Sequence, residues 1–180
     1  MKKIYVLLAE GFEELEAFAP VDLLRRAGAD VQTVSVGADR IVIGARGIAA
    51  VADLMLSELD EQQMEMLVLP GGYPGYENLG KNDQVCALIE RAAEQQKVIA
   101  AICGAPSVLG NLGLLQGKVA TCYPGMEDTL GCQASAEKVV CCDQFITSRG
   151  AGTAIDFALA LVARAVSPKA AEELRKGIVY

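Results

Sequence analysis

An α/β fold with a mostly parallel central sheet, covered by helices on both faces, is what the sequence predicts. Three observations carry it. Short apolar runs such as "KIYVLLA", "MEMLVL" and "VIAAIC" alternate with segments of helical periodicity, the pattern of repeated βα units. The runs are apolar at nearly every position, as strands buried on both faces are. Loops carrying glycine or proline follow them, "AEGFEE", "PGGYPG" and "CGAP", at the strand ends where such sheets bind ligands.

Each element has its own signal. "KIYVLLA" is the first buried strand. Glu13 to Gly28 reads as a helix, stopped by Gly28 because glycine accepts the left-handed turn that ends helices. "DVQTVSV" is the second strand, and "RIVIGARGIAAVAD" reads as a short hairpin around a glycine turn. "MEMLVLPGG" is a strand running into a glycine loop. Asp83 to Gln96 is a helix with Val85, Leu88, Ile89 and Ala92 on one face. "VIAAIC" is the next strand, and the helix after it carries Val108, Leu109 and Leu112. "KVATCYP" and "EKVVCCDQFITS" supply further strands, Thr153 to Val166 an apolar helix, and Pro168 to Lys176 a last short one. No linker or repeat interrupts this pattern, so residues 1–180 are expected to form one domain.

Composition narrows the partners. The formal net charge is −7 with no basic run, which argues against nucleic acid and acidic membrane surfaces. The opening "MKKIYVLLAEGFEE" has only a short apolar stretch before its acids, so it reads as a strand and not a secretory signal. No run approaches a membrane span, and a cytoplasmic location is the expectation. There are six cysteines but no histidine and no C-x-x-C pair, so no metal site is expected. The missing histidine also excludes any Cys-His or Ser-His pair within this chain.

Chemistry gathers at the strand ends. Around Cys103 the order Ala101-Ile102-Cys103-Gly104-Ala105 has the small-x-nucleophile-x-small spacing of a nucleophile elbow, a sharp strand-to-helix turn that lifts one side chain into the open. Pro106 suits the first turn of the new helix, whose N-terminal amides would lower the thiol pKa. On spacing alone, a small cysteine packed into a crowded turn is the other reading. Glu16 shares a helical stripe with Ala19, Leu23 and Ala27, an apolar face on which a carboxyl is paired or raised in pKa; a surface glutamate on a loosely amphipathic helix is the other reading. Pro20 removes the hydrogen bond to the Glu16 carbonyl, so a local kink is expected there. Gly71 and Gly72 allow close backbone approach and an exposed N–H, which with the Gly104 amide would make an oxyanion hole beside Cys103; taken alone the pair also reads as an ordinary glycine turn.

The segments "AEGFEELEAFAPVDLLRRAG", "LVLPGG", "VIAAICGAP" and "ITSRGAGTAIDFALALV" occur in this order over nearly the whole chain. Together they resemble the ThiJ/PfpI superfamily, in its DJ-one branch and of bacterial type. The resemblance implies a flavodoxin-like three-layer sandwich and a homodimer. It places the reactive cysteine at Cys103, a buried protonated glutamate at Glu16, and oxyanion amides at Gly72 and Gly104. It matches Arg25, Arg26 and Arg46 to basic positions near a dimer interface. Many members carry a histidine before the proline where this chain has Tyr123. A phenol is a poor base near neutrality, so Tyr123 is expected to wall the pocket. Protease-type members have a histidine immediately after the cysteine, where Gly104 stands here, so peptidase activity is not expected.

The activity implied is a cofactor-independent glyoxalase or protein deglycase, acting on methylglyoxal-type dicarbonyls or their early adducts. The alternative is an oxidative-stress protein, redox-sensing or chaperone-like, whose same cysteine is oxidised beside a carboxylic acid.

Overall fold

The computed structural model describes residues 2–180. At its centre β1 (Lys3–Leu8) pairs in parallel with β2 (Asp30–Ser35) on one side. Between them runs α1 (Glu14–Arg26). An antiparallel hairpin of β3 (Ile41–Ile43) and β4 (Ala49–Val51) stands apart from the main sheet. The two-residue edge strand β5 (Leu54–Met55) extends the sheet beyond β2. The chain then crosses back, and β6 (Met64–Leu69) pairs with β1 on its free side. Helices α2 (Gly75–Lys81) and α3 (Asp83–Glu94) lead to β7 (Val98–Ile102) beside β6. After α4 (Pro106–Asn111) come the short parallel strands β8 (Val119–Ala120) and β9 (Gln133–Ala134). The hairpin β10 (Val139–Cys142) and β11 (Phe145–Ser148) follows, with β11 parallel to β7 and only β10 antiparallel in the main sheet. Helices α5 (Ala154–Ala165) and α6 (Pro168–Gly177) close the fold.

The seven-stranded sheet has the order β10-β11-β7-β6-β1-β2-β5. Its direction of growth reverses between β1 and β6, a topological switch point that opens a crevice beyond the strand ends. Alternation along the strands divides the core into two layers. Ile4, Val6 and Leu8 of β1, with Met66, Val68, Ala100 and Ile102, pack against α1 and α5. Tyr5, Leu7, Leu67, Leu69, Ile99 and Ala101 face the layer holding Leu79, Val85, Leu88, Ile89 and Val108.

The predicted architecture is the observed one, with differences at the edges. The first helix begins at Glu14 because Glu13 is its N-cap, its side chain accepting the Glu16 N–H at 2.9 Å. It runs without interruption through Pro20. Gly28 takes the left-handed φ of +81° expected of a helix stop. The "KVATCYP" strand shrinks to Val119–Ala120 and leaves the main sheet for β9. "EKVVCCDQFITS" folds back on itself at Asp143, whose φ is +54°. Helix α2 has no predicted counterpart, since Gly75 and Gly80 lie inside it and glycine weakens the helical signal. Among the described residues no helix is long and apolar enough to cross a membrane.

Candidate active site

The ends of β1, β6 and β7 converge at the switch point, and each contributes one part of the site. Ala101 and Ala105, the small flanks of the elbow, are fully buried. Between them Cys103 adopts a φ of +66°, a left-handed conformation costing about 1–2 kcal/mol in a non-glycine residue. The turn is held from both sides: the Cys103 N–H donates to the Ser148 carbonyl of β11 at 3.0 Å, and its carbonyl accepts from the Tyr123 N–H at 2.8 Å. Ser107 caps the turn, its Oγ donating to the Gly104 carbonyl at 2.6 Å. The strained turn is therefore braced by hydrogen bonds from other segments, the arrangement in which strained residues persist at functional sites.

Glu16 is only 1% exposed. Its Oε2 accepts the Gly71 N–H at 2.9 Å, while the Gly71 carbonyl accepts the Glu13 N–H at 2.9 Å. The loop after β6 is thus bonded twice to the start of α1. A side chain on Gly71 would lie 2.6 Å from both the Cys103 Cβ and Glu16 Oε2. The absence of that side chain is what lets thiol and carboxyl share one space. Gly71 therefore lies beneath the cavity and not in its wall, its N–H already spent on Glu16. Oε1 is buried without a partner of ordinary hydrogen-bond geometry and lies on the Gly150 side.

The N–H groups of Gly72 and Gly104, expected from the sequence to be oxyanion donors, bear on the Cys103 sulfur. Gly72 has a φ of +90°, and a side chain there would collide with the backbone of Gly11, Phe12 and Glu13. Gly72→Ala is expected to cost at least about 2 kcal/mol of stability, from left-handed strain plus overlap with backbone that cannot move aside. Urea unfolding measures this. At Gly104 the space a side chain would fill holds the Tyr76 ring.

Electrostatics couples the pair. Burial pushes the Glu16 carboxyl up to about 7, reinforced by the charge of Glu13 and opposed by hydrogen bonding from the Cys103 thiol and the Gly71 and Ala151 N–H groups. The Cys103 thiol is pushed up to about 12, first by burial and then by the charge and hydrogen bond of Glu16, with the Gly72 and Gly104 amides pulling the other way. This corrects the sequence-based expectation of a lowered thiol. Helix α4 is short, and Cys103 lies before its N-cap residue Ala105, so its dipole is weak there beside an adjacent carboxylate.

A stability signature follows from Glu16. Its folded pKa of about 7 lies above the 4.5 of a free glutamate, so the folded state holds this proton more tightly. The contribution is fully present below about pH 4.5 and is lost as pH rises through about 7, amounting to about 3 kcal/mol. Chemical denaturation at pH 5 and pH 8 is expected to show this fall, and Glu16→Gln to flatten it.

The cavity above the pair has a volume of about 480 Å³ and is lined by Glu13, Glu16, Arg46, Gly72, Tyr73, Tyr76, Cys103, Gly104, Tyr123, Met126 and Ala151. Tyr123 is in its wall, as expected. Of the three arginines, only Arg46 reaches it. Arg25 donates to Asp53 Oδ2 at 2.7 Å and to the Val31 carbonyl, and Arg26 pairs with Asp22 at 2.8 Å, both at the far end of α1. Arg46 is positioned through Glu14, a buried carboxylate whose Oε1 accepts the Arg46 N–H at 2.8 Å and joins α1 to the β3–β4 hairpin. Tyr73, Tyr76, Glu13 and Met126 are wall residues that sequence reasoning did not find. The "YPGY" spacing was the only trace of the two tyrosines. Among the described residues no group of three or more histidine, cysteine, aspartate or glutamate side chains could hold a metal ion.

The DJ-1/PfpI family model matches residues 2–164. Protein DJ-1 homolog B of Arabidopsis thaliana is 40% identical over 162 residues, which are 89% of this chain but 37% of that protein. The chain spans less than half the length of the Arabidopsis relatives it matches. The glutathione-independent glyoxalase DJR-1.2 of Caenorhabditis elegans is 30% identical over 96% of this chain and 93% of its own. In structure, the C103A mutant of DJ-1 superfamily protein STM1931 from Salmonella typhimurium superposes with a TM-score of 0.95 at 38% identity, covering 100% of this chain and 99% of that one.

Proposed function

Since the chain belongs to the DJ-1/PfpI family, we propose that it is a cofactor-independent glyoxalase that converts methylglyoxal-type dicarbonyls, free or as early adducts, to α-hydroxy acids. The observation that carries the reading is the Cys103 thiol and Glu16 carboxyl meeting in the space left by Gly71, with the Gly72 and Gly104 N–H groups at the sulfur. The glyoxalase relative supports it.

The reactive form of the pair holds one proton. As the sulfur adds to the aldehyde carbon, Glu16 takes the thiol proton and the carbonyl electron pair moves to oxygen, facing the two glycine amides. Glu16 returns that proton to the oxyanion, which gives a hemithioacetal and leaves Glu16 a carboxylate. Glu16 then moves a proton from the former aldehyde carbon to its neighbour through an enediol, leaving the thioester of an α-hydroxy acid. Water cleaves the C–S bond, and the thiol recovers its proton. The net change is addition of one water, with oxidation of one carbon balanced by reduction of the next. A carboxyl at about 7 suits both taking and giving that proton near neutrality.

The oxidant-sensing reading uses the same two groups. A thiol pushed up to about 12 holds little thiolate for peroxide, whereas the carbonyl reaction generates it as the bond forms. The raised thiol therefore supports the carbonyl reaction over the oxidant-sensing one. The reading also includes a second copy of the chain, supported by exposed Leu15, Ile48 and Val51 on α1 and the β3–β4 hairpin, and a cytoplasmic setting, where thiols stay reduced. Lactate formation from methylglyoxal without glutathione, followed by proton NMR, tests the activity. Lactate at the buffer rate would sink it.

A further inference from the structure

The chain has five tyrosines, and three of them, Tyr73, Tyr76 and Tyr123, converge on the cavity over Cys103. Two are open to solvent, Tyr73 at 69% and Tyr123 at 51%, and neither joins either layer of the core. Single exposed aromatics need no explanation, but a cluster around a nucleophile does. The Tyr76 ring lies on the Gly104 backbone, next to one oxyanion donor. The Tyr123 ring lies beside Gly150, within reach of the same point as Glu16 Oε1. Tyr73 continues the wall from Tyr76, their centroids 6.5 Å apart and their planes tilted by 54°. Met126 adds an adaptable apolar surface.

A carbonyl bound at Cys103, Gly72 and Gly104 would therefore have its substituent projecting between these rings. The volume of about 480 Å³ is that of a site for drug-sized ligands, far more than a three-carbon dicarbonyl fills. The charges select among larger substituents. Glu13 is engaged as the helix cap and Glu16 with Gly71, while Arg46 at the rim has no ion pair among the described residues. A free cation opposes a cationic adduct and attracts a ring face. We infer that Tyr73, Tyr76 and Tyr123 make this site selective for α-oxoaldehydes bearing a planar aromatic group over those bearing a methyl group. The inference rests on the glyoxalase reading for its chemistry, and on the rings alone for its selectivity.

The test pairs turnover with binding. Conversion of phenylglyoxal and methylglyoxal is measured, together with binding of mandelate and lactate, the corresponding hydroxy acids, by saturation-transfer NMR titration. Mandelate is expected to bind about tenfold more tightly than lactate, as one or two well-placed aromatic contacts provide. Phenylglyoxal is expected to show the same advantage, mainly through a lower KM. Tyr73→Ala and Tyr123→Ala should each reduce the mandelate preference several-fold, and Tyr123→Phe should keep it. Equal affinity for the two acids, or a preference unchanged by removing the rings, overturns the inference whatever the turnover. Ring-dependent mandelate binding with neither oxoaldehyde converted upholds the selectivity and overturns the glyoxalase reading instead.

Discussion

Serine in place of Cys103 is expected to lower kcat/KM for methylglyoxal by about a thousandfold or more. The two side chains are nearly the same size, and the hydroxyl would occupy the same strained elbow beside the same amides. The difference is the proton. Glu16, at about 7, can take a proton from a thiol that lies some way above it, but a serine hydroxyl holds its proton far more tightly. The oxyanion donors and cavity remain, so a small residual rate above buffer is expected. Lactate production under saturating and limiting methylglyoxal measures the effect. A thermal melt within a few degrees of the parent shows that the fold is retained. Near-parental activity would show that the sulfur is not the nucleophile.

Glu16→Gln is expected to lower kcat by about a hundredfold to a thousandfold, the range for a lost general acid–base. Its pH profile separates this role from a structural one. In the parent protein kcat/KM should fall about tenfold per unit as pH drops below about 7, because the carboxylate that receives the thiol proton disappears. In the glutamine variant the break near 7 should be gone, with the remaining rate still rising with pH well above 7 as the thiol ionises unaided. The thiol itself should ionise more readily, since the charge and hydrogen bond of Glu16 both hold it up. Iodoacetamide alkylation of Cys103 at pH 8 should therefore be faster in the variant while catalysis is slower. A merely destabilised protein would slow catalysis without speeding alkylation at this one cysteine and without losing that break.

Much of the site was legible because it is written in local spacing. The alanines flanking Cys103 fit an elbow and Glu16 falls on the stripe of Leu23, although each alone also fits a packed cysteine or a surface glutamate, and only the segments taken together single them out. What stayed hidden depends on contacts between distant segments. Tyr76 sits on a helix masked by its own glycines, and its placement against Gly104 requires the β6 and β7 ends to be side by side. The direction of the thiol shift could not be read from the turn, because its causes are enclosure by the whole crevice and a carboxylate 87 positions earlier in the chain. The pairing of Arg25 was hidden too, because its partner Asp53 lies beyond a hairpin and is itself held by Thr33.

The placement of the nucleophile also bears on how the protein wears out. Cys103 hangs from β7, a strand buried at every position and bonded on both edges, to β6 and to β11. Amides in such a strand exchange with solvent only when the whole molecule opens, unlike those of surface loops. The elbow therefore belongs to the slowest-opening unit of the structure, and the exposed Tyr123 segment to a faster one. Partial openings would loosen the wall of the cavity and leave its floor in place. Heat inactivation should accordingly coincide with global unfolding and leave no dead but folded population.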